Sequence, residues 1–160
     1  MPAHPPQLNL RLDAATQQAD TPWRAGGAVI YLDSYLMLVL DTAACEPVRI
    51  DNELHLPLPP AATPRQIRDA AESWLRDEAL RRFTAIVMQK SALAGRHAPG
   101  VALTFGKHGD WAKREGGEGD MLRCHWRLIE QPLAVVEQVL ARALTQVFAT
   151  PVSDDLFALH

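Results

Sequence analysis

Apolar positions recur with a two-residue period in the first half of the chain and with a three- and four-residue period later. From Gly27 onward, AVIYL, YLMLVL and VRIDNELHLPLP are rich in branched and aromatic side chains and are separated by short polar breaks at Asp33-Ser34 and Thr42 to Glu46. That pattern predicts consecutive antiparallel strands. Asp51-Asn52 is expected to form a tight turn, because both residue types tolerate the left-handed backbone such turns need. Pro57, Pro59 and Pro60 end the sheet region, since proline cannot continue a central ladder.

Thr63-Pro64 then reads as a helix N-cap followed by a first-turn proline. The helix is expected to run to about Leu93, with Ile67, Ala71, Trp74, Phe83, Ile86 and Val87 on its buried face. Arg65, Arg68, Asp69, Glu72, Arg76, Asp77, Glu78, Arg81 and Arg82 form a mixed-charge outer face, which predicts a solvated surface. Gly95 and Ala98-Pro99-Gly100 close the helix, and Val101 to Phe105 alternates like a strand. Residues 106–120 carry five of the nine glycines, which predicts a polar loop. Met121 to Ile129 returns to strand and turns at Glu130-Gln131 into a last helix. There Pro132 occupies the first turn, and Val135, Val136, Val139, Leu140, Leu144 and Val147 recur as one buried stripe.

Composition narrows the class. The chain has 160 residues, 48% of them apolar and 22% charged, the profile of a globular domain large enough to bury a core. Residues 1–24, with Pro2, Pro5, Pro6 and Pro22, predict a flexible proline-rich leader whose end Trp23 pins to the body, and residues 25–160 a single domain. No apolar run is long enough to span a bilayer and no secretory signal opens the chain, so no membrane partner is expected and a cytoplasmic location follows. Cys45 and Cys124 suit a reducing compartment and are expected to pack as free thiols. A net charge of -3, from 16 basic and 19 acidic residues, gives no general attraction to nucleic acid.

The chemistry concentrates in the last helix. Opposite its apolar stripe stand Gln138, Arg142, Thr145 and Gln146, and residues 142 and 146 lie one turn apart with their side chains directed into the same space. With GKHGDW (Gly106 to Trp111), HWRLIEQP (His125 to Pro132) and LPLPPAATPRQIRDAAESWL (Leu56 to Leu75), this helix resembles the YgjP-like metallopeptidase domain, a bacterial relative of the SprT and zincin peptidases. The likeness spans about residues 30 to 159. The family's pattern contains an Arg-Trp-Gly-Ser-Cys segment, an Asn-Trp-Arg-Leu strand, a proline-initiated helix ending in His-Glu-Leu-x-His, and a third histidine in an Asn-His-Ser turn. Here the tryptophan is Trp111, with two extra residues before the next strand; Trp126, Arg127 and Leu128 match and His125 replaces the Asn. Aligned without a gap from Trp126, the first histidine falls on Arg142, the glutamate on Ala143 and the second histidine on Gln146. Pro151, Val152 and Ser153 replace Asn-His-Ser, while Phe157-Ala158-Leu159 keeps the family's ending.

The resemblance implies an α+β, zincin-like fold: an N-terminal antiparallel or mixed sheet, a long helix, two further strands and a C-terminal former active-site helix. It also implies a zinc cofactor, yet every ligand and the general base are replaced. Zinc needs lone-pair donors and its bound water needs a carboxylate, whereas Arg142 has no lone pair, Gln146 is a poor ligand and Val152 cannot coordinate. The expected protein is therefore a catalytically inactive homologue that acts as a binding or regulatory module for a protein or peptide partner, an active relative among the candidates, through the former substrate cleft of Trp111, His125, Arg142 and Gln146. Two alternatives stand beside it. One is a hydrolase with a relocated site drawn from His97, His108, His125 or Cys124, although Cys124 and His125, as strand neighbours, point to opposite faces. The other is a nucleic-acid-associated protein using the loop of Lys107, His108, Trp111, Lys113 and Arg114, which Asp110, Glu115, Glu118 and Asp120 dilute. His4, His55 and His160 show no ligand spacing. Arg142 has two readings of its own, a salt bridge to Asp154 or Asp155, or an open anion or peptide-carboxylate binder.

Overall fold

A computed structural model describes residues 22–116 and 120–149. Most of the leader, the tail expected to hold Pro151, Val152, Ser153 and the Asp154 or Asp155 partner of Arg142, and the histidines His4 and His160 lie outside the described residues. The architecture is α+β. The elements in chain order are β1 (Ala28–Tyr31), β2 (Ser34–Leu40), β3 (Val48–Ile50), β4 (Glu53–Leu56), α1 (Pro64–Leu93), β5 (Gly100–Thr104), β6 (Ala112–Glu115), β7 (Met121–His125), a 3-10 helix (Trp126–Glu130) and α2 (Leu133–Ala149). Internal contacts divide them into two compact units, residues 22–30 with 35–72 and residues 31–34 with 73–149. No helix among the described residues is long and apolar enough to cross a membrane.

The first unit holds most of a four-stranded sheet ordered β1-β2-β4-β3. Alternate residues Val29, Leu36, Leu38, Leu54 and Leu56 are buried along one face, the period-two pattern read from the sequence. The pairing differs from a run of consecutive antiparallel strands: β4 lies parallel to β2, with Leu38 opposite Leu54 and Leu40 opposite Leu56, and only β3 pairs with it antiparallel. Side-chain chemistry explains the exchange. Arg49 sits opposite Leu54 on the buried side, so β3 would put a guanidinium into the core if it were central. The leucine-bearing strand takes the interior place and the arginine strand the edge. Asp51-Asn52 forms the expected turn, with Asp51 at φ 53°.

Helix α1 starts as predicted. The Thr63 hydroxyl accepts the Gln66 N–H at 3.2 Å while the Gln66 side chain accepts the Thr63 N–H at 2.8 Å, a reciprocal box that satisfies two amides left over at a helix start. Trp23 is half-buried beside Pro64, Arg65 and Arg68. The helix ends on Gly95, whose φ of 66° lets the Gly95 and Arg96 N–H groups turn back to Ala92 and Ser91. Its buried stripe includes Ile67, Ala71, Leu75, Ala79, Phe83, Ile86 and Val87, with Trp74 half-covered. The charged face is not wholly solvated: Glu72 and Glu78 are 5% and 4% exposed. Within the second unit Glu78 accepts the Tyr31 hydroxyl at 2.5 Å and pairs with Arg81 and Arg82. Those partners supply the hydrogen bonds that a carboxyl group needs out of water.

The second unit carries a three-stranded sheet ordered β5-β7-β6. The stretch expected as loop, residues 106–120, contains β6, an edge strand antiparallel to β7 with Ala112 opposite Cys124 and Glu115 opposite Met121. Its residues are polar because an edge needs no buried alternation, and ion pairs from Arg123 to Glu115 and from Arg114 to Asp120 hold it. The strand expected to reach Ile129 stops at His125. Trp126, Leu128 and Ile129 are all buried, which continuing β7, whose Arg123 face is exposed, would not allow for the neighbours Leu128 and Ile129, and the 3-10 turn does. Arg127 N–H closes that turn by bonding the His125 Nδ1 at 3.1 Å.

Candidate functional site

Helix α2 begins where Pro132 accepts the N–H groups of Val135 and Val136, and buries Val136, Leu140, Ala143, Leu144 and Val147. With that stripe fixed, the four-residue spacing leaves Gln138, Arg142 and Gln146 exposed in one row. Strand β6 packs along this helix. Between them lies a cavity of ≈ 430 Å³. Gln138, Arg142 and Gln146 form its helical wall, Trp111, Lys113 and Asp110 the opposite one, and Ala112, Val139 and Ala143 its apolar lining.

Three of the four residues expected to share a cleft therefore converge: Trp111, Arg142 and Gln146. Ala143, where the resemblance would place a glutamate, is 3% exposed and presents a methyl group. Val152 lies outside the described residues. The fourth, His125, is not in the lining and stands behind Trp111. Its N–H bonds the Trp111 carbonyl at 2.7 Å and its ring meets the indole edge-on at 6.0 Å between centroids. Its Nε2–H donates to the Gly106 carbonyl at 2.5 Å while its Nδ1 accepts from Arg127. Both nitrogens are engaged by backbone, so His125 orients the tryptophan rather than facing a ligand.

The charges of the cleft are unequal. Arg114 is paired with Asp120 at 3.0 Å and is not among the residues lining the cavity. Lys113 and Arg142 line the cavity with Asp110 as the single carboxylate among its lining residues. No acidic side chain among the described residues forms an ion pair with Arg142. The basic loop read as a nucleic-acid contact is thus divided, with Lys107 and His108 before the strand, Lys113 lining the cavity and Arg114 paired with Asp120.

The residues present do not fit zinc. A guanidinium, a methyl group and an amide stand at the aligned positions, and among the described residues no group of three or more His, Cys, Asp or Glu side chains is placed to hold a metal ion. Nor do the relocated-site residues assemble. Cys124 is fully buried and burial pushes its thiol up to about 12, so it stays protonated and unreactive at neutral pH. His97 and His108 are exposed.

A cluster that sequence reasoning missed lies in the first unit. His55 Nδ1 meets Asp41 Oδ2 at 3.1 Å and its Nε2 meets Glu53 Oε1 at 2.9 Å. The Asp41 hydrogen bond, then that of Glu53, holds the imidazole above its ordinary pKa, and His55 with the Ala43 N–H holds the Asp41 carboxyl below its own. The signal for half of it was present, since residues 53 and 55 share one strand face. Asp41 joins only through the parallel pairing that lets its N–H bond Leu56. No protein-family model matches the chain, and comparison with curated proteins and with solved structures gives no match.

Proposed function

We propose that the chain is a catalytically inactive YgjP-like metallopeptidase homologue that works as a binding module through the cleft between β6 and α2. The observation that carries this reading is the convergence of Trp111, Arg142, Ala143 and Gln146, singled out by their alignment to the peptidase pattern, around one cavity whose donors suit recognition rather than metal chemistry. An indole, a planar guanidinium and two amides are groups that hold a polypeptide. Arginine and glutamine cannot generate a metal-bound hydroxide, and alanine cannot take its proton.

Two measurements on the full chain test the proposal. Protein purified without chelator is expected to hold far less than one zinc per chain and to leave unstructured peptides uncleaved. In ¹⁵N-labelled protein, a pool of such peptides is expected to move the Trp111 indole resonance, identified by its loss in Trp111→Phe. One tightly held zinc per chain, or peptide cleavage, would overturn the inactive assignment. A Trp111 resonance that no peptide moves would overturn the cleft as the binding site.

A further inference from the structure

Resting on that reading, we infer that the cleft recognises an extended peptide segment carrying a carboxylate side chain, which seats on Arg142. The argument begins with spacing. Gln138, Arg142 and Gln146 stand on successive turns of α2, so their attachment points are about 6 Å apart along the axis and span about 12 Å in all. An extended peptide repeats every second residue at about 6.8 Å. A strand of five residues laid along the helix brings its first, third and fifth residues level with these three side chains, and the middle one meets the guanidinium.

Charge selects what that middle residue is. Arg142 and Lys113 are two cations against the one carboxylate of Asp110 among the lining residues. Arg114, the nearest other cation on β6, is neutralised by Asp120. A guanidinium binds a carboxylate through two parallel N–H···O bonds, and Lys113 on the facing wall adds a second positive charge without competing for that geometry. Gln138, one turn before Arg142, offers both donors and an acceptor and matches a peptide amide of either sense. Val139, Ala143 and Ala112 give the ligand's backbone a low apolar bed, and Trp111, 44% exposed, offers its indole face to one side chain of the peptide. Its orientation is held by His125.

The test uses the full ¹⁵N-labelled chain and the Trp111 indole resonance as readout. The ligands are a blocked five-residue alanine peptide with a central glutamate, its central-glutamine counterpart, sodium acetate and single-stranded oligothymidylate. The glutamate peptide is expected to bind about tenfold more tightly than the glutamine peptide, the size of one charge-assisted bond. Arg142→Gln is expected to erase that preference, the two peptides then binding alike, and Arg142→Lys to restore part of it. Equal binding of the two peptides would overturn the carboxylate assignment yet leave the cleft as a peptide site. Acetate acting at the same concentration as the glutamate peptide would replace the peptide by a small anion, and competition by oligothymidylate at lower concentration would replace it by nucleic acid. If neither peptide moves the resonance, the binding-module reading falls with it.

Discussion

His55 is held between two carboxylates of its own unit. Both of its ring nitrogens face carboxylates, Asp41 at 3.1 Å and Glu53 at 2.9 Å, an arrangement that favours the doubly protonated ring. A raised folded-state pKa means that the histidine's contribution to stability is fully present below its ordinary value of 6.5 and is lost as pH rises through the folded value. Asp41 has the opposite sign: its carboxyl is lowered, so its contribution is present above the ordinary 3.8 and is lost as pH falls through the folded value. The two windows overlap between 3.8 and 6.5, where the cluster stabilises most. The His55 Cε1–H resonance is expected to titrate with a midpoint above 6.5. The difference in urea midpoint between the native chain and His55→Gln is expected to be largest between those limits and to shrink at higher pH. A midpoint at or below 6.5 would show that the carboxylates do not hold the ring.

Among the elements, the long helix shows how charge that reads as surface becomes structure. Glu78 belongs by sequence to an alternating charged face, yet it is 4% exposed and is the shared acceptor of Tyr31, Arg81 and Arg82. The hairpin tip that bears Tyr31 is fixed in the same unit by Leu32 and Asp33, whose N–H groups bond the Ile129 and Glu130 carbonyls at 2.7 and 3.0 Å. Glu78→Ala removes the acceptor and is expected to lower stability by about 2 kcal/mol, with Glu78→Gln, which keeps an oxygen for the Tyr31 hydroxyl, costing less than half as much. Chemical denaturation of the three proteins checks the order. Local physics made α1 legible in the sequence, because the Thr63 box, Pro64 and Gly95 act on their own neighbours. It also fixed the Asp51-Asn52 turn and most of the α2 stripe. What sequence could not supply was pairing: Ala112–Glu115 is polar and becomes a strand only because β7 offers it a ladder. The parallel contact of β2 with β4 depends on keeping Arg49 out of the core. The cleft was half legible for the same reason. Arg142 and Gln146 follow from helical spacing, but Lys113 enters only once β6 exists.

At the scale of the whole molecule, the two cysteines report on the two units separately. Cys45 is exposed in the first unit and Cys124 is fully buried in the second, behind Leu122 and the strand partners β5 and β6. A thiol reagent attacks the thiolate, so Cys124, with its pKa pushed up to about 12 by burial, is shielded twice, by access and by protonation. At neutral pH one thiol per chain is expected to react at once and the other only when its unit opens. Where opening and closing are fast relative to labelling, the slow rate follows the population of the open form. Glu78 and Cys124 belong to the same unit, so the loss of about 2 kcal/mol in Glu78→Ala should raise the slow rate about thirtyfold. His55→Gln, in the other unit, should leave it far less changed. Two fast thiols in the native chain would contradict the burial of Cys124. A slow rate raised equally by both substitutions would mean that the units open together, and that the cleft between β6 and α2 shares its stability with the sheet that holds His55.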